Sequence, residues 1–456
     1  MAQLPIKAWI CPICGYIHYS SEPPEECPVC GTTADVFEPY LQVDDSPVTS
    51  EQKEIGKVVI VGAGIAGVSA AESLHKASPQ VEVILISNEA HLPYYRLNLT
   101  RYLAGEVGID QLTLHPEGWC NENNITLLKN TEVSSVDLAK KELIYKDENR
   151  MNYDQLILTI GAHPFLPPFS GVHKQNVTTL RTREDADFIL EACRSNLNCV
   201  CIGGGLLGLE TAGALARRGI DVTVVENQSW LLPRQLNQTA GMLFQEHVQS
   251  MGIKLRTNTK TRELAGDECV RGVLLEDGTT LPAQLVVVSA GVRSNVGLAR
   301  QAGLTVNQGI LVDNNMRTSH PEVFAAGDVA EYRGVIYGIW GPSQVQGSIA
   351  GLNAAGQHAE FNSIPRSNTL KVLGDNLFSI GQIAPKDSMD QVIETELDGK
   401  YSCYIFNNNR MVGSILLGDI ALSGKIRKTI EEQHDCATLL QKKPTGIDVL
   451  RFIEDI

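Results

Sequence analysis

The sequence predicts an α/β protein with two Rossmann-like domains, a small cysteine-rich metal domain ahead of them and an α+β domain behind them. Three observations predict this. Two stretches, "KVVIVGAGIAGVSAAESL" from Lys57 and "CVCIGGGLLGLETAGALARRGIDVTVVE" from Cys199, each run from an apolar strand through a glycine turn into a helix. "CPICGYIHYSSEPPEECPVCG", residues 11–31, carries four cysteines as two CxxC pairs. From Thr369 onward, short runs alternate apolar and polar residues before the pattern turns helical.

The cysteine pairs come first along the chain. Cys11 and Cys14 are one pair, Cys27 and Cys30 the other, with twelve residues between them. Four converging thiolates suit a tetrahedral ion, and zinc and iron both qualify, because thiolates alone do not choose the metal. Gly15 and Gly31 allow the tight turns that aim backbone N–H groups at sulfur, while Trp9, Tyr16 and Phe37 can pack an apolar shell around it. The run from Ala8 to Glu38 resembles the short rubredoxin domain of rubrerythrins, in its W-x-C-x-x-C-G-Y opening, its P-E-x-C-P-x-C second half and its closing Phe. That resemblance covers residues 7–40 and implies one iron held by Cys11, Cys14, Cys27 and Cys30, carrying one electron. A zinc ribbon is the alternative.

The whole chain sets bounds. Its 456 residues exceed a single core, and 43% hydrophobic with 20% charged residues reads as globular. No secretion signal and no membrane span are expected, and cysteine usage fits a reducing, cytoplasmic setting. The net charge of −15 argues against nucleic acid as a partner. Residues 1–54 contribute −7 of it, from nine Asp or Glu and two Lys. "QVDDSPVTSEQKEIG", residues 42–56, has no apolar period and reads as a linker; as a flexible coil it would span roughly 20 Å.

Next come the two glycine turns. Gly62, Gly64 and Gly67, with Ala63, Ile65 and Ala66 between them, lead from strand to helix, and "VEVILIS" at 81–87 is the following strand. Glycines there permit a tight turn and the close approach of a pyrophosphate to the helix N-terminus. The acid for an adenosine ribose is less regular here: Ser87 holds the usual place, so Glu89, beside Asn88, is the candidate. In the second turn Gly203, Gly205 and Gly208 repeat the pattern, with Leu206 opening the helix. Glu226 ends the next strand, 18 residues past the last glycine. An acid there binds ribose hydroxyls and repels a 2′-phosphate, which favours NADH over NADPH.

Two such sites in this order resemble the flavin-dependent pyridine-nucleotide oxidoreductases, over residues 56–365. "LILTIGAHP" (156–164) and "VVVSAGVRSN" (286–295) match that family's chain crossings, and "VFAAGDVAE" (323–331) its second flavin fingerprint. The resemblance implies two nested domains, an FAD domain interrupted by an NAD domain. The expected division is 1–41 metal domain, 42–56 linker, 57–165 FAD domain, 166–289 NAD domain, 290–365 FAD domain again, and 366–456 C-terminal domain. It implies FAD contacts from the first turn, Asn88, Glu89, Val133, Gly161, Gly291, Gly327 and Asp328, the last on the ribityl chain.

The branch within the family turns on a missing residue. Disulfide reductases of this fold carry CxxxxC, and peroxide or coenzyme A disulfide reductases one cysteine near "LPYY". Here "NEAHLPYYRLNLTRYL", residues 88–103, has none. Cys120 in "EGWCNENN" suits packing, as do Cys199 and Cys201 in their strand. Arg96 lies where rubredoxin and ferredoxin reductases place a basic residue against FAD. In "YGIWGPSQVQGSIAGLNAAG", Pro342 is expected to start a helix aimed at the flavin, with Trp340 as a wall. Glu210 matches a position near the nicotinamide and flavin. The last 90 residues resemble the C-terminal domain of NADH:rubredoxin reductases and nitrite reductase flavin regions, in which Lys371 would reach the flavin edge. "SGKIRKTI" (423–430) carries three cations that suit either an acidic partner or a solvated helix face.

These resemblances imply an NADH-dependent flavoprotein, monomer or homodimer, that passes electrons through FAD to its own iron domain. From there they would reach rubrerythrin, a flavodiiron protein or superoxide reductase. An NADH oxidase reducing oxygen directly, or a flavoenzyme with a zinc-ribbon docking module, are the alternatives.

Overall fold

The computed structural model describes residues 8–11, 16–18, 20–28, 34, 37–39, 55–193, 197–362 and 367–455; for Glu38, Leu370 and Lys371 it describes the backbone only. The chain divides into two units. The first comprises residues 1–98, 107–163 and 292–364, the second residues 99–106, 164–291 and 365–456.

In the first unit, five parallel strands form one sheet in the order Val323–Ala325, Gln155–Leu158, Lys57–Val61, Glu82–Ile86, Ile125–Leu128. The "KVVIV" strand is central, so both faces of Val58–Val61 are buried, which is why those four residues are apolar without interruption. Val58 and Ile60 point to one side, into a core shared with Ala70 and Leu74 of helix Ile65–Ala77 and Ala350 of helix Trp340–Ala354. Val59 and Val61 point to the other, toward Leu143 and Tyr153. The two helices cross at very short range. A Cβ on Gly347 would lie 2.2 Å from the carbonyl oxygen of Ala66, and one on Gly351 2.3 Å from that of Ala70. An antiparallel meander, Val133–Asp137, Glu142–Tyr145, Arg150–Asn152, adjoins this sheet in the chain.

The small N-terminal domain, also in the first unit, contributes three short antiparallel strands in the order Ile17–His18, Trp9–Ile10, Glu38–Pro39. Cys11 and Cys27 are 0% and 1% exposed and share a cluster with Phe37, against which Trp9 and Tyr16 pack. The aromatic shell read from the sequence is therefore present.

In the second unit the same logic repeats, with parallel strands in the order Val177–Thr178, Leu285–Val288, Asn198–Ile202, Asp221–Val225, Lys254–Arg256. Cys199 and Cys201 are buried in the central strand, as packing residues. The C-terminal segment forms an antiparallel sheet in the order Ser367–Val372, Asp375–Gly381, Arg410–Leu417, Lys400–Asn407, Gln391–Leu397. Phe378, Tyr404 and Leu416 meet Ile426, Val449 and Ile453 of the helices that follow. In Ser423–Glu431, Lys425 Nζ donates to Glu454 O at 2.5 Å, and Lys428 lies 4.0 Å from Glu432. The helix Leu99–Ala104, next to the "LPYYR" stretch in sequence, belongs to this second unit, where Tyr102 Oη donates to Asp187 at 2.7 Å and Arg218 Nε donates to Leu103 O.

Candidate nucleotide sites and metal centre

The first glycine turn is built so that only its middle residue faces open space. Gly62 has φ +110°, and a Cβ there would meet Thr159 O at 2.3 Å; a Cβ on Gly67 would meet Gly62 O at 1.9 Å. At Gly64, the N-cap of helix Ile65–Ala77, no atom lies within 4 Å of that position. Thr159, inside the "LILTIGAHP" crossing, donates its hydroxyl to Gly62 O at 2.7 Å and holds the turn from behind. Ala63, Ile65 and Ala66 complete the turn and the first helical positions.

The rim beside it is assembled from three stretches. Thr131 N donates to Ser87 O at 2.9 Å and Asn130 N to Glu89 O at 3.2 Å, which brings Asn88 and Glu89 beside the segment that leads into Val133. The Glu89 carboxylate accepts from Tyr94 Oη at 2.6 Å and from Arg96 Nη2 at 2.5 Å. Burial alone would lower the Arg96 pKa, but the negative groups of Tyr94, Glu89 and Asp328 outweigh it and raise it. Arg96 is thus tied to this rim and lies in the field of Asp328.

Asp328 follows Gly327, whose φ is +80°. Ser294 Oγ donates to Asp328 O at 2.6 Å and Gly327 N to Gln346 Oε1 at 3.0 Å, while Ser343 Oγ donates to Ile339 O at 2.9 Å and lies 3.5 Å from Asp328 Oδ1. The helix that carries Ser343 and Gln346 starts at Trp340, two residues earlier than the proline led one to expect. Pro342 still belongs in that first turn, where its missing N–H has no helical partner to lose. Trp340 is 6% exposed and stacks on Tyr95, with ring centroids 5.6 Å apart and planes 27° from parallel. Trp340 Nε1, Gln344 Oε1 and Gln346 Nε2 are buried with no hydrogen-bond partner among the described residues. Buried polar atoms are nearly always satisfied, so three orphans on one helical stretch, with the opening at Gly64 in the same unit, fit a bound polar cofactor.

Gly161 (φ +63°) and Asn295 join the crossings: Asn295 N donates to Gly161 O at 2.9 Å and its Nδ2 to Ile160 O at 2.6 Å. Gly291, with φ +101°, receives Phe165 N on its carbonyl at 2.8 Å in the second unit.

The second turn repeats the first. Gly203 has φ +117°, and Cβ atoms on Gly203 and Gly208 would meet Ser289 O at 2.4 Å and Gly203 O at 2.0 Å. Gly205, ahead of Leu206, again faces open space. The Glu226 carboxylate, 9% exposed, accepts from Gly204 N at 2.6 Å and from Gln228 N at 2.7 Å. An acid fixed against the turn in this way is set to accept from ribose hydroxyls.

Glu210 lies on the same helix, and its Oε1 accepts from Leu373 N at 3.0 Å. Burial pushes the Glu210 carboxyl up, opposed by the Leu373 N–H and by Arg217. Leu373 has φ +52°; its Cδ2 occupies the space a Cβ on Gly213 would need, 2.1 Å away, and His247 Nε2 lies 3.1 Å from its carbonyl oxygen. Glu210 therefore clamps the C-terminal turn onto the Leu206–Arg217 helix. The side chain of Lys371, two residues before Leu373, lies outside the described residues, as do Cys14 and Cys30. Cys120 packs against the first-unit core, and burial raises its thiol. Thr159, Gln346, Asn295 and Leu373 were missed from sequence; the first three stand inside quoted motifs, whereas nothing local marks Leu373.

Two glycine-turn domains with these fixed acids define a two-nucleotide oxidoreductase fold. Residues 56–359 match the family model described as Pyridine nucleotide-disulphide oxidoreductase, and the chain belongs to that family. Residues 367–434 match the Rubredoxin NAD+ reductase C-terminal domain and residues 9–38 the rubredoxin-like domain of rubrerythrin. The chain is 35% identical to a nitrite reductase [NAD(P)H] of Bacillus subtilis, over 83% of this chain and 48% of that protein. It therefore spans about half the length of that relative. An NADH-rubredoxin oxidoreductase of Clostridium acetobutylicum is 30% identical over 82% of this chain and 94% of its own length. The crystal structure of NADH:rubredoxin oxidoreductase from Clostridium acetobutylicum aligns with a TM-score of 0.76 at 28% identity, covering 87% of this chain and 99% of that one. No helix among the described residues is long and apolar enough to cross a membrane.

Proposed function

We propose that the chain is an NADH-dependent flavoprotein reductase that delivers electrons from NADH, by way of FAD, to an iron centre in its own N-terminal domain. A protein acceptor of the rubrerythrin, flavodiiron or superoxide reductase type would follow, in oxidative or nitrosative stress defence. The observation that carries the reading is where thiols stand. Residues 88–103 hold none, while Cys11 and Cys27 are buried in a cluster against which Tyr95 of that same stretch packs. On this reading a metal–thiolate centre takes the place of a thiol relay.

When bound, FAD accepts a hydride and gives up single electrons, which an iron held by four thiolates can store. The chain's residues supply placement and electrostatics. Gly62, Gly64 and Gly67 admit a pyrophosphate, Glu89 and Arg96 border it, and Asp328, whose main-chain oxygen is held by Ser294, would receive hydroxyls. Trp340 walls the isoalloxazine. Gly203, Gly205, Gly208 and Glu226 hold NADH. Glu210 holds the Leu373 turn and with it the strand that carries Lys371. Cys11, Cys14, Cys27 and Cys30 hold the iron.

The test is an anaerobic visible spectrum of the purified protein before and after sub-stoichiometric NADH. Ferric tetrathiolate absorbance that bleaches with the flavin is the expected result. A flavin-only spectrum, with zinc in the metal analysis, would overturn the reading.

A further inference from the structure

Asn98 is 1% exposed, and its Nδ2 donates to Pro28 O at 3.2 Å. Pro28 directly follows Cys27, so this bond reaches the second cysteine knuckle of the small domain from the first nucleotide-binding domain. Three residues before Asn98, Tyr95 packs against the cluster of Cys11, Cys27 and Phe37 and stacks on Trp340.

The segment that makes these contacts is held independently of them. Tyr95 N donates to Leu112 O at 2.7 Å, Asn98 N to Tyr95 O at 2.8 Å, and Tyr94 forms a bridge with Thr113. Arg96 is fixed by Glu89. A surface that is already ordered loses little freedom when something docks on it. Asn98 is also an expensive residue to bury: its Oδ1 has no partner among the described residues, so the donation to Pro28 is what the position obtains from having an amide.

We propose that Tyr95 and Asn98 form a built-in seat for the chain's own N-terminal four-cysteine domain. The domain then works from one docked position on the first nucleotide-binding domain, rather than roaming at the end of residues 42–56. Tethering makes such a small contact sufficient. Joining two modules through a short segment of one chain gives an effective concentration of ~1 mM. A contact with an intrinsic Kd of ~0.1 mM is then occupied about ten to one, although it would not hold two separate chains at micromolar concentration. The seat shares its Tyr95 contact with the electron-delivery reading but does not depend on which metal the cysteines hold, so the exchange test below and the visible spectrum can fail separately.

Hydrogen exchange read by mass spectrometry on the full chain tests it. Asn98→Ala and Tyr95→Ala, made separately, should each raise exchange at residues 20–28 about tenfold, while the central Lys57–Val61 strand keeps its protection. If both variants leave residues 20–28 unchanged, the seat is overturned. If both strip protection from Lys57–Val61 as well, Tyr95 and Asn98 are framework residues of the first domain and the seat is equally overturned.

Discussion

Glu226 reaches back across its turn to accept a hydrogen bond from the backbone N of Gly204, 2.6 Å away. The same carboxylate receives Gln228 N, so its position is set before any nucleotide arrives. Glu226→Ala removes both acceptors and the charge that repels a 2′-phosphate. The ratio of kcat/KM for NADH to that for NADPH should fall about 5- to 150-fold, the effect of losing one specific polar contact of ~1–3 kcal/mol. An unchanged ratio would remove Glu226 from cofactor selection.

The two kinds of glycine in the first turn should separate cleanly. Gly64→Ala adds a methyl to open space at an extended φ of −75°, so thermal stability of the flavin-free protein should not change, while FAD retention on gel filtration drops. Gly62→Ala, with φ +110° and Thr159 O in the way, should instead destabilise the fold by about 1–3 kcal/mol whether or not FAD is present. Equal effects of the two substitutions would contradict the assignment of Gly64 to the cofactor.

Glu210 makes a prediction in pH. Burial raises its folded-state pKa above the unfolded value, so the stability it contributes is full below the unfolded pKa and is lost as pH rises through the folded one. Glu210→Gln keeps an acceptor for Leu373 N without the charge. Relative to that variant, the wild type should lose stability as pH climbs above the ordinary glutamate range. Glu210→Ala should cost about 1–2 kcal/mol at neutral pH, through the unsatisfied Leu373 N–H. Denaturant midpoints at several pH values decide between these.

Cys27→Ser should lower bound iron below one atom per chain and leave the flavin spectrum intact. Electron delivery to a protein acceptor should then be lost, while NADH-dependent oxygen consumption persists. Full iron occupancy in this variant, measured by elemental analysis, would refute the four-cysteine assignment.

What was legible in the sequence was what is local. Gly62, Gly64, Gly67 and Glu226 are recognisable because a tight turn at a helix start and an acid at a strand end leave residue types at fixed spacing. The helix at Trp340 was placed two residues late because Pro342 tolerates any position in a first turn, so a proline marks a start only to within a few residues. The Leu373 clamp on Glu210 and the Asn98 bond to Pro28 link residues 163 and 70 positions apart, and no periodicity records such partners. The grouping of Leu99–Ala104 with the second unit was hidden for the same reason: its partners Asp187 and Arg218 are far along the chain.

The near-contact of Gly347 with Ala66 also constrains how the protein is made. Helix Ile65–Ala77 leaves the ribosome first, and the helix that completes its core emerges roughly 280 residues later. At ~5–20 residues per second, this is on the order of 14–56 s during which Ala70 and Leu74 lack their cover. The interrupting segment 164–291 is finished well within that interval. The guest's five-stranded parallel sheet is therefore synthesised whole while its host is still half-built, and the nascent host is the stage at which chaperone capture or aggregation threatens this chain.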